Sequence, residues 1–155
     1  ALALLLRIPL NLARIFESLG HMVFRANYQG DIGLHIAKAI WGFKKLGLPS
    51  QDLNLAEKAS FLGKAYAEGN KAYEQDPNFT DEIDQINTKL YTKDTEVQPI
   101  YSLARSWSLE YFEPIYKLLG IKYDRCFFES EVYEEGQAVV MENVGKVFEK
   151  SDGAI

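Results

Sequence analysis

The sequence predicts an α/β fold interrupted by a long helical stretch. Three observations point there. From Leu12 to about Lys45, a helical apolar repeat gives way to a short β-like run, then a glycine-containing loop, then a second helical repeat. From Leu55 to about Leu119 the periodicity is helical throughout, and strand-like content returns at Ile121–Phe128. The 155 residues are 47% hydrophobic and 25% charged, which suits a single globular domain with a core of its own.

Each element follows from local chemistry. Leu12, Ile15, Phe16 and Leu19 share a helical face, and Gly20 ends that helix. His21–Asn27, mostly apolar with β-branched and aromatic members, reads as a buried strand, with His21 as a turn residue before it. Tyr28–Gly33 reads as a tight loop, with Asp31 suited to capping the next helix. That helix runs to about Lys45 on Ile36, Ala37, Ile40, Trp41 and Phe43, and Gly47, Pro49 and Ser50 end it. Leu55, Ala59, Leu62, Tyr66 and Tyr73 mark a helix closed by Asp76-Pro77-Asn78. Thr80 is the expected N-cap of the next, whose narrow stripe is Ile83, Ile86 and Leu90. Ile100, Leu103, Trp107, Tyr111, Ile115 and Leu118 define a third, which Pro114 should kink or split. After the strand at Ile121–Phe128, a short acidic helix spans Glu131–Asn143. Lys146–Phe148 is expected to open a last strand or hairpin turning at Asp152-Gly153.

Bulk properties narrow the function. A net charge of −5 argues against a DNA-binding domain. The lone Cys126 excludes an internal disulfide and fits a reducing, cytoplasmic setting. No run approaches the roughly 20 apolar residues of a membrane span, so no membrane partner is expected. Ala1–Leu6 is apolar but short, with no basic segment before it, and makes a poor signal peptide. Both ends are expected to be internal to a longer polypeptide.

Residue chemistry alone reveals no catalytic centre. Leu62-Gly63…Tyr66…Asp76-Pro77 has the look of one tetratricopeptide unit, but no second copy follows at the 34-residue period. Asp31 and His35, four apart, could share a helical face; two ligands without a third make no metal site, and Asp31 as a cap with His35 at a partly buried edge is the simpler reading. Gly30-Asp31-Ile32-Gly33 fits neither phosphate-loop spacing. Cys126 has no partner at nucleophile or metal spacing and is expected in the core, Ser106, Ser108 and Ser130 lack an elbow sequence, and Asp81-Glu82 and Glu134-Glu135 read as solvated helix faces.

A resemblance supplies what chemistry does not. Leu12-Ala-Arg-Ile-Phe-Glu-Ser-Leu-Gly20-His21-Met-Val-Phe-Arg25-Ala-Asn27-Tyr-Gln-Gly30-Asp31-Ile-Gly33 resembles the arginyl-tRNA synthetase family of class I synthetases, in the stretch just downstream of its His-x-Gly-His motif. The likeness continues in order through Tyr66–Tyr73, Trp107–Phe112, Ile115–Gly120, Tyr123-Asp124, Phe128-Glu129-Ser130 and Ser151–Ala154. It implies a partial Rossmann-like class I catalytic domain with a largely helical insertion. The whole of 1–155 would be one partial domain: about 12–47 a helix–strand–helix unit, about 52–120 the insertion, about 121–155 the return to α/β.

By the same resemblance, the full enzyme would activate arginine with ATP and Mg²⁺ and charge tRNA(Arg). Asn27, Gln29, Gly30, Asp31, Gly33 and His35 would be substrate-cleft candidates; no catalytic or metal-binding residue is assigned. The family's last motif histidine should fall near Leu2 and has no counterpart there, Ala1–Leu10 match poorly with Pro9 where a helical residue is expected, and the Lys-Met-Ser-Lys loop has no match in the chain. These 155 residues alone are therefore expected to be inactive and to bind no cofactor. The alternatives are a stand-alone helical interaction module and a small α/β nucleotide-binding protein. The strands near His21–Asn27 and Tyr123–Phe128 should lie in one parallel sheet, with the helices between Leu55 and Leu119 as an excursion beside it.

Overall fold

The computed structural model describes residues 2–49 and 53–150. Eight elements follow in order: α1 (Leu2–Ser18), β1 (Ala26–Gln29), α2 (Leu34–Leu46), α3 (Leu55–Gln75), α4 (Pro77–Tyr91), α5 (Gln98–Leu119), β2 (Arg125–Phe128) and α6 (Glu129–Glu142). The two strands lie in one parallel sheet, as the sequence predicts, and are direct neighbours in it, Ala26 opposite Arg125 through Gln29 opposite Phe128. Such pairing requires a long crossover, and α2–α5 provide it.

The core lies among those crossover helices. Ala37 and Ile40 of α2 bury against Ile83, Ile86 and Leu90 of α4, with Val97 closing the cluster. Phe43, Ala65 and Trp107 form a second cluster, with Phe61 edge-on to Phe43 at a centroid distance of 4.9 Å. Helices α2 and α3 meet at backbone distance. A Cβ on Gly42 would lie 1.9 Å from the Ala65 carbonyl oxygen, and one on Gly69 would lie 1.9 Å from that of Lys38. Only glycine permits this approach. Asn54 starts α3 with a reciprocal capping box: Glu57 N–H donates to Asn54 Oδ1 at 3.0 Å, and Asn54 N–H donates to Glu57 Oε2 at 2.8 Å.

Several local expectations give way to tertiary contacts. The first strand pairs only from Ala26; His21, Met22 and Phe24 are exposed, and pairing begins where Arg25 N–H donates to Asp124 Oδ2 at 2.7 Å and Asp124 N–H to the Arg25 carbonyl at 2.9 Å. The second strand likewise begins at Arg125 rather than Ile121. Helix α1 starts at Leu2 and carries Pro9 within it. Its predicted apolar face (Leu12, Ile15, Phe16, Leu19) is exposed, while Leu10 and Ala13 are buried. The N-cap of α4 is Asp76, not Thr80: Asn78 N–H donates to Asp76 Oδ1 and Pro77 sits at the first helical position, where a missing N–H costs nothing. Thr80 lies inside the helix and donates to the Tyr73 carbonyl. Pro114, exposed, does not split α5. Lys146–Phe148 forms no strand, only an isolated bridge between Val144 and Phe148. Ser50 and the Asp152-Gly153 turn lie outside the described residues.

Candidate functional site

A cavity of about 370 Å³ opens at the carboxyl ends of β1 and β2. Its sheet side is Asn27–Asp31 and Phe128, its floor Ile36, Ala39 and Ile40 of α2, and its far wall α5 from Tyr101 to Tyr116. In open α/β sheets this end of the strands is where ligands bind, because the loops there are free to vary while the strands stay fixed.

Asp31 is the most constrained group at the site. It is 7% exposed and accepts four hydrogen bonds: from Ser130 N–H to Oδ1 at 2.9 Å, and to Oδ2 from the Ser130 hydroxyl at 2.8 Å, the Tyr101 hydroxyl at 2.8 Å and Arg105 Nε at 2.9 Å. Burial acts to raise its pKa, but the donors, led by the Ser130 backbone N–H, outweigh it and hold the carboxyl below its ordinary value. Arg105 also lies over the Phe128 ring, 3.8 Å from its centroid. Burial pushes the Tyr101 phenol up; the Ser130 hydrogen bond opposes this and Asp31 adds to it. At the other end of the wall, burial raises Tyr116, partly countered by a hydrogen bond with Asn27.

The sequence-derived candidates divide. Asn27, Gln29, Gly30 and Asp31 line the cavity; Gly33 and His35 do not. Asp31 does not cap α2: the N-cap is Gly33, at φ +104°, and no side chain caps it. His35 is exposed rather than partly buried, with Nε2 3.3 Å from the Gly30 carbonyl oxygen. Among the described residues no group of three or more His, Cys, Asp or Glu is placed to hold a metal. Cys126 lies on β2, half-buried. Tyr101 and Arg105 are the residues that sequence reasoning missed. Phe112, Tyr116, Phe128 and Ser130 fell within the quoted motifs, but nothing local marked them as cavity or knot residues.

The family model described as tRNA synthetases class I (R), catalytic domain, matches residues 8–155. Over 148 residues the chain is 30% identical to the arginine–tRNA ligase of Borreliella afzelii and 31% identical to that of Borrelia garinii subsp. bavariensis, in each case covering 94% of this chain and 25% of the relative. It is 26% identical over 164 residues to the arginine–tRNA ligase of Bacteroides thetaiotaomicron, covering 93% of this chain and 28% of the relative. The chain thus spans about a quarter of the length of the curated relatives it matches. No helix among the described residues is long and apolar enough to cross a membrane.

Proposed function

The chain belongs to the class I tRNA synthetase (R) catalytic-domain family, and from that premise we propose that it forms the middle of the catalytic domain of a cytoplasmic arginine–tRNA ligase. The observation that carries the reading is the match of residues 8–155 to that family. The cavity at the carboxyl ends of a parallel strand pair supports it, as that is where a Rossmann-like domain would bind its substrates. In this reading 12–47 and 121–155 are parts of one α/β unit, and 52–120 is a helical insertion whose α5 walls the substrate cleft.

Such a ligase joins the arginine carboxylate to the α-phosphate of ATP by in-line displacement of pyrophosphate, then passes arginine to the 3′ end of tRNA(Arg) with release of AMP. The chemistry depends on holding the reactants in line and on donors aimed at the developing charge. These residues contribute the cleft side: Asn27, Gln29 and Gly30 form one rim, Tyr101 and Arg105 the facing wall. They do not fit a magnesium site, since the Asp31 carboxylate already accepts four hydrogen bonds and has no clustered acidic partner among the described residues. The groups that neutralise ATP's phosphates in this family have no match in the chain, so the 155 residues alone do not turn over.

The test is the coding DNA on both sides, followed by an arginylation assay. An upstream His-x-Gly-His, a downstream Lys-Met-Ser-Lys-like loop, and charging of tRNA(Arg) by the polypeptide of the whole reading frame are expected. Start and stop codons bounding these 155 residues, or charging by them alone, would overturn the proposal.

A further inference from the structure

The six-residue candidate set treats Asp31 as a group that could meet substrate, and its hydrogen bonds argue otherwise. An ionised carboxylate offers about two acceptor sites on each oxygen; here Oδ2 takes three donors and Oδ1 one, and the residue is 7% exposed, which leaves little surface through which a ligand could reach either oxygen. A ligand reaching for Oδ2 would have to displace one of its donors inside a buried site, leaving that donor unpaired. Those donors come from distant parts of the chain: Tyr101 and Arg105 from α5, Ser130 from the first turn of α6. The loop after β1 is thereby fastened both to the wall of the cavity and to the helix that follows β2.

We propose that Asp31 is a positioning residue, which sets α5 and the start of α6 around the cavity through Tyr101, Arg105 and Ser130 and does not itself touch substrate. The role rests on the reading of this cavity as the substrate cleft. Arg105 is the arm that carries it furthest: with Nε on Asp31, its guanidinium is pinned against Phe128 at the cavity wall, and its Nη2 lies 3.8 Å from Glu131. The charged and titratable groups around the knot are Tyr101 and Arg105 from α5, Glu129 and Glu131 from α6, Tyr28 from β1, and His35 of α2 beside the Gly30 carbonyl. The Asp31 pKa is depressed in the folded chain, so the clamp is complete above the ordinary aspartate pKa and is released as pH falls through the lower, folded value.

The test uses the ¹⁵N-labelled polypeptide of the whole reading frame, with nuclear magnetic resonance as the readout. The Ser130 amide and Arg105 Nε–H signals should move together on acidification, with one midpoint below the ordinary aspartate range. Asp31→Asn should abolish that shared titration. It should also speed amide exchange at 104–109 and 130–133 by about tenfold or more while leaving α4 within about twofold. Separate midpoints, an unchanged exchange pattern, or an equal loss of protection in every helix would overturn the proposal; the last would mark Asp31 as a general stabiliser. If the Asn variant does not fold, the titration of the unsubstituted chain and the exchange pattern of Arg105→Gln decide. None of these readouts needs ligase activity, so a failed arginylation assay and a failed clamp remain distinguishable.

Discussion

Alanine in place of Gly69 should destabilise the protein, whereas alanine in place of Gly63, six residues earlier on the same helix, should stabilise it. A Cβ at position 69 would sit 1.9 Å from the Lys38 carbonyl oxygen. Ordinary carbon–oxygen contact is about 3.3 Å, so α2 and α3 would have to part by about 1.4 Å, and a carbonyl of the helix backbone cannot swing aside as a side chain can. Overpacking of this kind costs about 3 kcal/mol when backbone must move, and the better helix propensity of alanine returns about 1 kcal/mol, leaving a net loss of about 2 kcal/mol. At Gly63 nothing lies within 4 Å of the added Cβ, so only the propensity gain of up to about 1 kcal/mol remains. The two variants should differ by about 3 kcal/mol, or about 1.5 M in urea midpoint for a slope of about 2 kcal/mol/M. Urea unfolding followed by far-ultraviolet circular dichroism reads this directly. Two variants that shift in the same direction would refute the close crossing of α2 and α3.

Three further outcomes follow from the same geometry. Ile83→Ala, at a side chain with no exposed surface beside Ala37 and Ile40, should cost about 3 kcal/mol in the same unfolding experiment. Asn54→Ala removes one half of the capping box and should cost about 1 kcal/mol, with the lost protection confined to the first turn of α3 in hydrogen exchange. The Glu96 carboxyl, hydrogen-bonded by Lys44 and Lys89, should titrate at about 2; any stability it adds is complete above the ordinary glutamate pKa and lost as pH falls from there through about 2, and Lys44→Met should move the midpoint up, as followed by carbon chemical shifts.

The long crossover was readable because its periodicity is local: Ile83, Ile86 and Leu90 share one helical stripe and all three are buried. The tightest helix contact was not, since Ala65 and Gly69 carry almost no hydrophobic signal and matter by being small. Strand limits were misjudged for a related reason. His21–Asn27 has the composition of a buried strand, but pairing depends on where Arg25 meets Asp124. Asp31 shows the same limit at the site. Within its own loop it has the signature of a helix cap, and its actual partners stand 70, 74 and 99 residues away. A single arginine among the apolar residues and serines of α5 carries no local mark, and only the cavity gives Arg105 a role.

Arginine-dependent exchange between ATP and pyrophosphate in the presence of tRNA(Arg), measured on the polypeptide of the whole reading frame with and without Ser108→Trp, tests the central claim most directly. Ser108 is half-buried on the α5 wall, where an indole would fill the cavity. Misplacing substrate by an ångström costs about 100-fold in rate. The account predicts at least that loss, with the circular dichroism spectrum and urea midpoint little changed. Exchange at the rate of the unsubstituted polypeptide would contradict it and separate this cavity from the chemistry.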